Sequence, residues 1–179
     1  MKNAISGLLL MGWMTGYAET KSYEAVKGES QIVYHLNHPM HKIKGVSSDF
    51  ACTVHLSEDT LASKIKVKAP VSDFNSGNSN RDSHALEILE ALKYPNVEFE
   101  SDSVRLDPKG YRVFGQLLFH GVKRAIDFPV ISSIGGGKIR IEAGFTIKLT
   151  DFKVKRPTLL LVPTEDTLRI EIYAVAKGP

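Results

Sequence analysis

Three histidines stand at His35, His38 and His41, each separated from the next by two residues. Three imidazoles are enough to hold a zinc ion with a fourth position open, so the series raises a metal-binding protein or metal-dependent enzyme as an alternative function. The spacing works against it. On a strand His35 and His38 face opposite sides, and Pro39 breaks any helix that would align them. No Asp, Glu or Cys lies close by in sequence to complete a ligand set, so the three are read as polar residues at the mouth of a barrel and no metal is assigned. A second constellation is Arg81, Asp82 and His84. A guanidinium and an imidazole could meet a phosphate or carboxyl head group, but adjacent Arg and Asp also tie loops down through charge-assisted hydrogen bonds, and that structural role is favoured. Ser83 and His84 are neighbours, which does not by itself build a nucleophile and its base. The chain has no G-x-S-x-G elbow, H-E-x-x-H pair, P-loop or dinucleotide fingerprint. No enzymatic activity and no cofactor are expected. Cys52 is the single cysteine. It falls in an alternating apolar set and reads as a small buried hydrophobe.

These residues are positioned by a chain whose dominant period is two. Ile32, Tyr34 and Leu36 alternate with Val33 and His35. Phe50, Cys52, Val54 and Leu56 form a second set, and Ile65, Val67 and Ala69 a third, interleaved with Lys64, Lys66 and Lys68. Tyr111, Val113, Gly115, Leu117 and Phe119 lead to Ile126, Phe128 and Val130. The longest run is Ile139, Ile141, Ala143, Phe145, Ile147 and Leu149, and Leu168, Ile170, Ile172, Ala174 and Ala176 close the chain. Such alternation describes strands with one dry and one wet face. The turns between them are short and rich in Gly, Asp and Pro, as in Asp107-Pro108-Lys109-Gly110.

Only residues 73–101 depart from this rhythm. A run of Asn, Ser and Gly leads to Ala85, Ile88, Leu89 and Leu92 at helical spacing. Asp82 is a candidate N-cap or first-turn charge, and Pro95 ends the segment. The reading is one short helix at about residues 82–93, its apolar stripe free to cover something. The fold class that follows is all-β, an antiparallel up-and-down barrel of about eight strands, since closure removes the long edges an open sheet would expose. An eight-stranded barrel is filled by its side chains or holds one small ligand. Phe50, Phe99, Leu117, Phe119, Ile141, Phe145 and Ile172 lie on apolar strand faces and are the candidates for an apolar lining.

The amino terminus reads as an address. Lys2 precedes a mostly apolar stretch from Ala4 to Met14, and Gly16 and Ala18 supply small residues where a signal peptidase cuts. Residues 1–18 are therefore expected to be a cleaved signal peptide, and 19–179 a single domain. The apolar run is shorter than the roughly twenty residues needed to span a bilayer. The mature protein is expected to be periplasmic or secreted, without stable membrane insertion. The net charge of +3 is small and evenly spread, which argues against a nucleic-acid partner. A homodimer is compatible with these features.

Short motifs run through the chain in order: Gly77-Asn78, Arg81-Asp82-x-His84, Tyr94-Pro95, Phe99, Gly115-Gln116-Leu117, His120-Gly121-Val122-Lys123, Gly144-Phe145 and Asp151-Phe152. Together with the terminal strand, from about Ser30 to Ala176, they resemble the YceI-like family of lipid- or polyisoprenoid-binding proteins. The resemblance implies an extended lipocalin-like barrel with a tunnel for a long apolar chain, and hence a carrier or sequestering protein whose partner is a long-chain isoprenoid or other amphiphilic lipid. Two departures concern the mouth: Gly45 is followed by Val46 and Ser47 where family members often carry an aromatic residue, and His38-Pro39-Met40-His41 replaces a more ordinary loop.

Overall fold

The computed structural model describes residues 20–57, 60–159 and 161–178; the expected signal peptide and the Glu58-Asp59 part of an expected turn lie outside them. The alternating segments become strands. β1 (Thr20–Ala25) and β2 (Gln31–His38) are followed by β3 (His41–Ser47), β4 (Ala51–Ser57) and β5 (Thr60–Pro70). Helix α1 (Ser79–Ile88) intervenes before β6 (Asn96–Asp107), β7 (Gly110–Phe119), β8 (Val122–Gly135) and β9 (Lys138–Lys148). A small pair, β10 (Thr158–Leu159) and β11 (Val162–Pro163), precedes the closing strand β12 (Thr167–Lys177).

The register shows how the barrel closes. β1 and β2 run in line along β12, with Ala25 opposite Ala176 and Gln31 opposite Tyr173. Residues 26–30 interrupt them, and there the Ser30 hydroxyl takes the Val175 N–H at 3.0 Å, replacing a ladder bond. β3 and β4 return along β2 and β1 respectively. Each pair thus acts as one bent strand, and with β5, β6, β7, β8, β9 and β12 they make a closed eight-stranded antiparallel barrel in up-and-down order. The expected fold class is observed.

Alternation sorts the side chains. Along β7, Val113, Gly115, Leu117 and Phe119 are buried while their neighbours are half-exposed. The lysine ladder of β5 faces outward and meets acids on β6: Lys68 to Glu98 at 3.0 Å, and Lys64 and Lys66 both to Glu100. These exposed pairs add little stability, but they keep the charged face of β5 in water and so hold Ile65, Val67 and Ala69 inward. The two ends of the barrel differ. Near the β6–β7 turn, Val54, Val113, Ile139 and Ala176 are fully buried against one another in a solid plug. The helix end is less densely filled.

The helix differs from the expectation. It starts at Ser79 because Asn78, not Asp82, is the N-cap: its side-chain oxygen accepts the Arg81 N–H at 3.0 Å. It ends at Ile88 instead of continuing to about 93. Leu92, expected on the apolar stripe, is fully exposed in the turn that follows.

Candidate functional site

The open half of the barrel encloses about 220 Å³ between β2, β5, β6, β7, β8, β9, β12 and the inner face of α1. Six of the seven lining candidates border this space: Phe99, Leu117, Phe119, Ile141, Phe145 and Ile172. Phe50 does not. It precedes β4 in an irregular segment, where strand phase is not fixed, and packs half-buried against the core.

Three aromatic rings cross the cavity. Phe99 and Phe128 are 5.2 Å apart and tilted, and Phe128 and Phe145 are stacked at 4.7 Å with 21° between planes. Such arrangements each add about 0.5–1.5 kcal/mol beyond area burial, so the trio forms a semi-rigid floor above the plug. Gly115 makes room for it: a Cβ there would sit 2.6 Å from the Phe99 ring.

The roof is α1 with its C-cap Leu89; Ala85, Leu86, Ile88 and Leu89 border the cavity. None of its residues is fully buried. It is fastened by Ser76 instead. Arg81 donates from Nε to the Ser76 hydroxyl and from Nη2 to the Ser76 carbonyl, each at 2.8 Å, while the Ser76 N–H donates to both Asp82 carboxylate oxygens at 3.2 Å. Arg81 and Asp82 therefore clamp one loop residue and do not pair with each other. Asp82 borders the cavity; Arg81 and His84 do not, and His84 is exposed beside Glu87 at 3.5 Å.

Tyr34 and Phe74, packed 5.8 Å apart under this roof, also border the cavity. Burial first, then the Asp82 carboxylate, push the Tyr34 hydroxyl above its ordinary value, so it stays a neutral donor. The Tyr34 ring lies across Gly45, where a Cβ would come within 2.3 Å of it, which accounts for a glycine on β3. Tyr34 and Phe128 shared the phase of residues read as inward and could have been found by it. Phe74 sits in a turn-rich stretch with no period to reveal it. Cys52 is buried at the cavity wall, and burial pushes its thiol up to about 12.

The histidine series is dispersed. His35 pairs with Glu171 on the outer wall at 3.2 Å. His38 is buried, bonding the Val162 carbonyl through Nε2 at 3.0 Å and accepting the Met40 N–H at Nδ1. Only His41 is near it, with ring centres 5.1 Å apart. Among the described residues no three His, Cys, Asp or Glu side chains are placed to hold a metal. His38 instead fastens the β10–β11 hairpin over the barrel end.

The YceI-like domain matches residues 23–176. The chain belongs to the YceI-like family. It is 27% identical over 169 residues to protein YceI of Escherichia coli, covering 87% of this chain and 88% of that protein. It is 32% identical over 120 residues to a UPF0312 protein of Pseudomonas putida, of which it spans 60% of the length. Among solved structures, BcnA of Burkholderia cenocepacia superposes with a TM-score of 0.77 at 18% identity, over 86% of this chain and 99% of that one. A polyisoprenoid binding domain from Saccharophagus degradans superposes with a TM-score of 0.67 at 14% identity, over 88% and 98%. These two likenesses establish the shared barrel.

Proposed function

We propose that this YceI-like barrel is a binding protein, periplasmic or secreted, that holds one long-chain isoprenoid or other amphiphilic lipid in its interior. One observation carries the reading: a cavity walled almost wholly by hydrocarbon, with Asp82, Tyr34 and Ser72 among its few polar neighbours. A chain of isoprene or methylene units gains roughly 25 cal/mol for each Å² of apolar area it removes from water, and it asks nothing polar of the wall. The polyisoprenoid-binding neighbour from Saccharophagus degradans supports the same ligand class, and the amino-terminal address motivates export.

The enclosed 220 Å³ is below the roughly 300–1,000 Å³ of most ligand pockets. A long chain therefore enters by rotating the aromatic trio or lifting α1, whose sparse burial makes it the cheaper element to move. Mass spectrometry of an organic extract of protein purified from its own host tests the reading. A co-purified lipid is expected. Its absence, with no uptake of offered isoprenoids or fatty acids, overturns it. The Phe145→Asn variant is expected to keep the barrel's circular dichroism and lose lipid occupancy.

A further inference from the structure

The open end of the barrel carries two apolar loop tips held side by side. Pro39-Met40 makes the turn between β2 and β3, and Met40 is 64% exposed. The β10–β11 hairpin contains the run Leu159-Leu160-Leu161-Val162 in sequence, and there Leu161 is 97% exposed. One imidazole joins the two: His38 Nε2 meets the Val162 carbonyl at 3.0 Å, and its Nδ1 accepts the Met40 N–H at 3.2 Å. Leu161 also has a left-handed backbone, φ 67°. Hairpin turns give such positions to Gly or Asn, so a leucine in water there serves nothing in the fold. Cations flank both tips. Lys42 faces Asn37 at the base of the β2–β3 turn. Lys155 and Arg156 lead into the hairpin, whose base closes with the Thr164 N–H on the Pro157 carbonyl at 2.8 Å. All three are exposed, and Lys42 and Lys155 make no ion pair among the described residues. The nearby acids are engaged, Glu165 by the Asn37 amide at 3.1 Å and Asp166 by Thr150.

We propose that these tips dock the open end of the barrel on an anionic lipid bilayer, reversibly and without spanning it. The proposal goes beyond the lipid-binding reading and does not need it, because docking uses the outer tips and not the cavity. The chemistry favours a bilayer over a protein surface. Apolar side chains at loop ends, flanked by cations, suit the boundary between head groups and acyl chains. Lysine is depleted from protein–protein interfaces but is drawn to an anionic leaflet, by roughly fivefold in affinity for each residue close to it. Docking in this orientation turns the end of the barrel bordered by Leu36, Val154, Pro157 and Leu168 towards the bilayer.

Flotation of the 19–179 chain, which contains the whole described barrel, with lipid vesicles tests the proposal. Vesicles of phosphatidylglycerol and phosphatidylcholine in equal parts are compared with phosphatidylcholine alone. Wild type is expected to bind the anionic vesicles about tenfold or more tightly. The Met40→Ser, Leu161→Asn double variant should lower that affinity about tenfold or more, and Asn suits the positive φ at 161. The Lys42→Gln, Lys155→Gln variant should also bind more weakly and with less dependence on salt. His38 holds backbone groups of residues 40 and 162, so both variants should keep the Tm of wild type. The control is Leu106→Ser, Ile134→Ser, which removes exposed apolar side chains at the plug end and should bind as wild type does. A wild type that floats with neither vesicle overturns the proposal, and so does a tip variant that floats like wild type. Equal loss in the control overturns it as well, since adsorption would then be general to the barrel. A dimer that the tip variant converts to monomers, with no vesicle binding, assigns the tips to a second copy of the chain and overturns it. None of these outcomes bears on lipid occupancy, which the organic extract reads separately.

Discussion

Phe128 lies face to face with Phe145, 4.7 Å away, and this stack marks where the barrel interior changes from solid to hollow. Phe128 is buried and also touches Phe99. Its removal should lower stability by about 3–4 kcal/mol, the usual cost of deleting a buried aromatic ring. The same deletion deepens the cavity. Chemical denaturation of Phe128→Ala with and without farnesol should show the deficit partly recovered by ligand, through linkage to a native state that binds better. Equal deficits in both conditions would detach Phe128 from the cavity.

The clamp on Ser76 predicts a kinetic effect. Arg81→Ala removes two hydrogen bonds from a charged donor and is expected to cost about 1–2 kcal/mol. The loss should be local. Hydrogen exchange should accelerate in residues 75–89 while β7 and β9 stay protected, and farnesol should dissociate faster. Uniform acceleration across the barrel would show that the clamp does not act on α1 alone.

Cys52 ties a chemical readout to burial. Its thiol is pushed up to about 12 from an ordinary value of 9.0, so the folded protein keeps its proton over a range where the unfolded chain loses it. The stability this contributes is complete below about pH 9 and is lost as pH climbs from there towards 12. Native protein at pH 8 should resist thiol reagents, and denatured protein should react at once. Cys52→Ala should flatten the alkaline end of the stability profile. A native thiol that reacts within minutes at pH 8 would contradict the burial.

Asp166 works in the opposite direction. The Thr150 hydroxyl, at 2.6 Å, and the Thr150 N–H, at 3.0 Å, hold its carboxyl below the usual carboxylate value. A depressed folded pKa gives stability that is present above the ordinary value near 3.8 and lost as pH falls through the folded one. The group is exposed, so the effect is small. Asp166→Asn should loosen the 150–152 turn, visible as lower exchange protection at Thr150, and that protection should no longer fall as a carboxylate titrates.

The strand faces were legible because the period of two fixes every side chain once a strand's phase is known; Phe99, Phe145 and Ile172 were placed that way. Phe50 lies just before β4, where phase is undefined, and it went astray. Helix bounds were missed because Asn78 and Asp82 are equally good caps by type, and only the fold shows that Asp82 is turned to Ser76. The bent first hairpin and the early end of the β8–β9 ladder at Val130–Ala143 were invisible, since both depend on which strands part company over half their length. Pro129 and Gly144, at the next step, left a trace in the sequence, but its meaning needs the register that brings them opposite.

The packed lower half has a consequence for traffic. Among the described residues, Val54, Val113, Ile139 and Ala176 close the base, which makes the vessel a cul-de-sac. On the proposed carrier reading, cargo departs by the same half through which it arrives, and discharge requires an acceptor on that side.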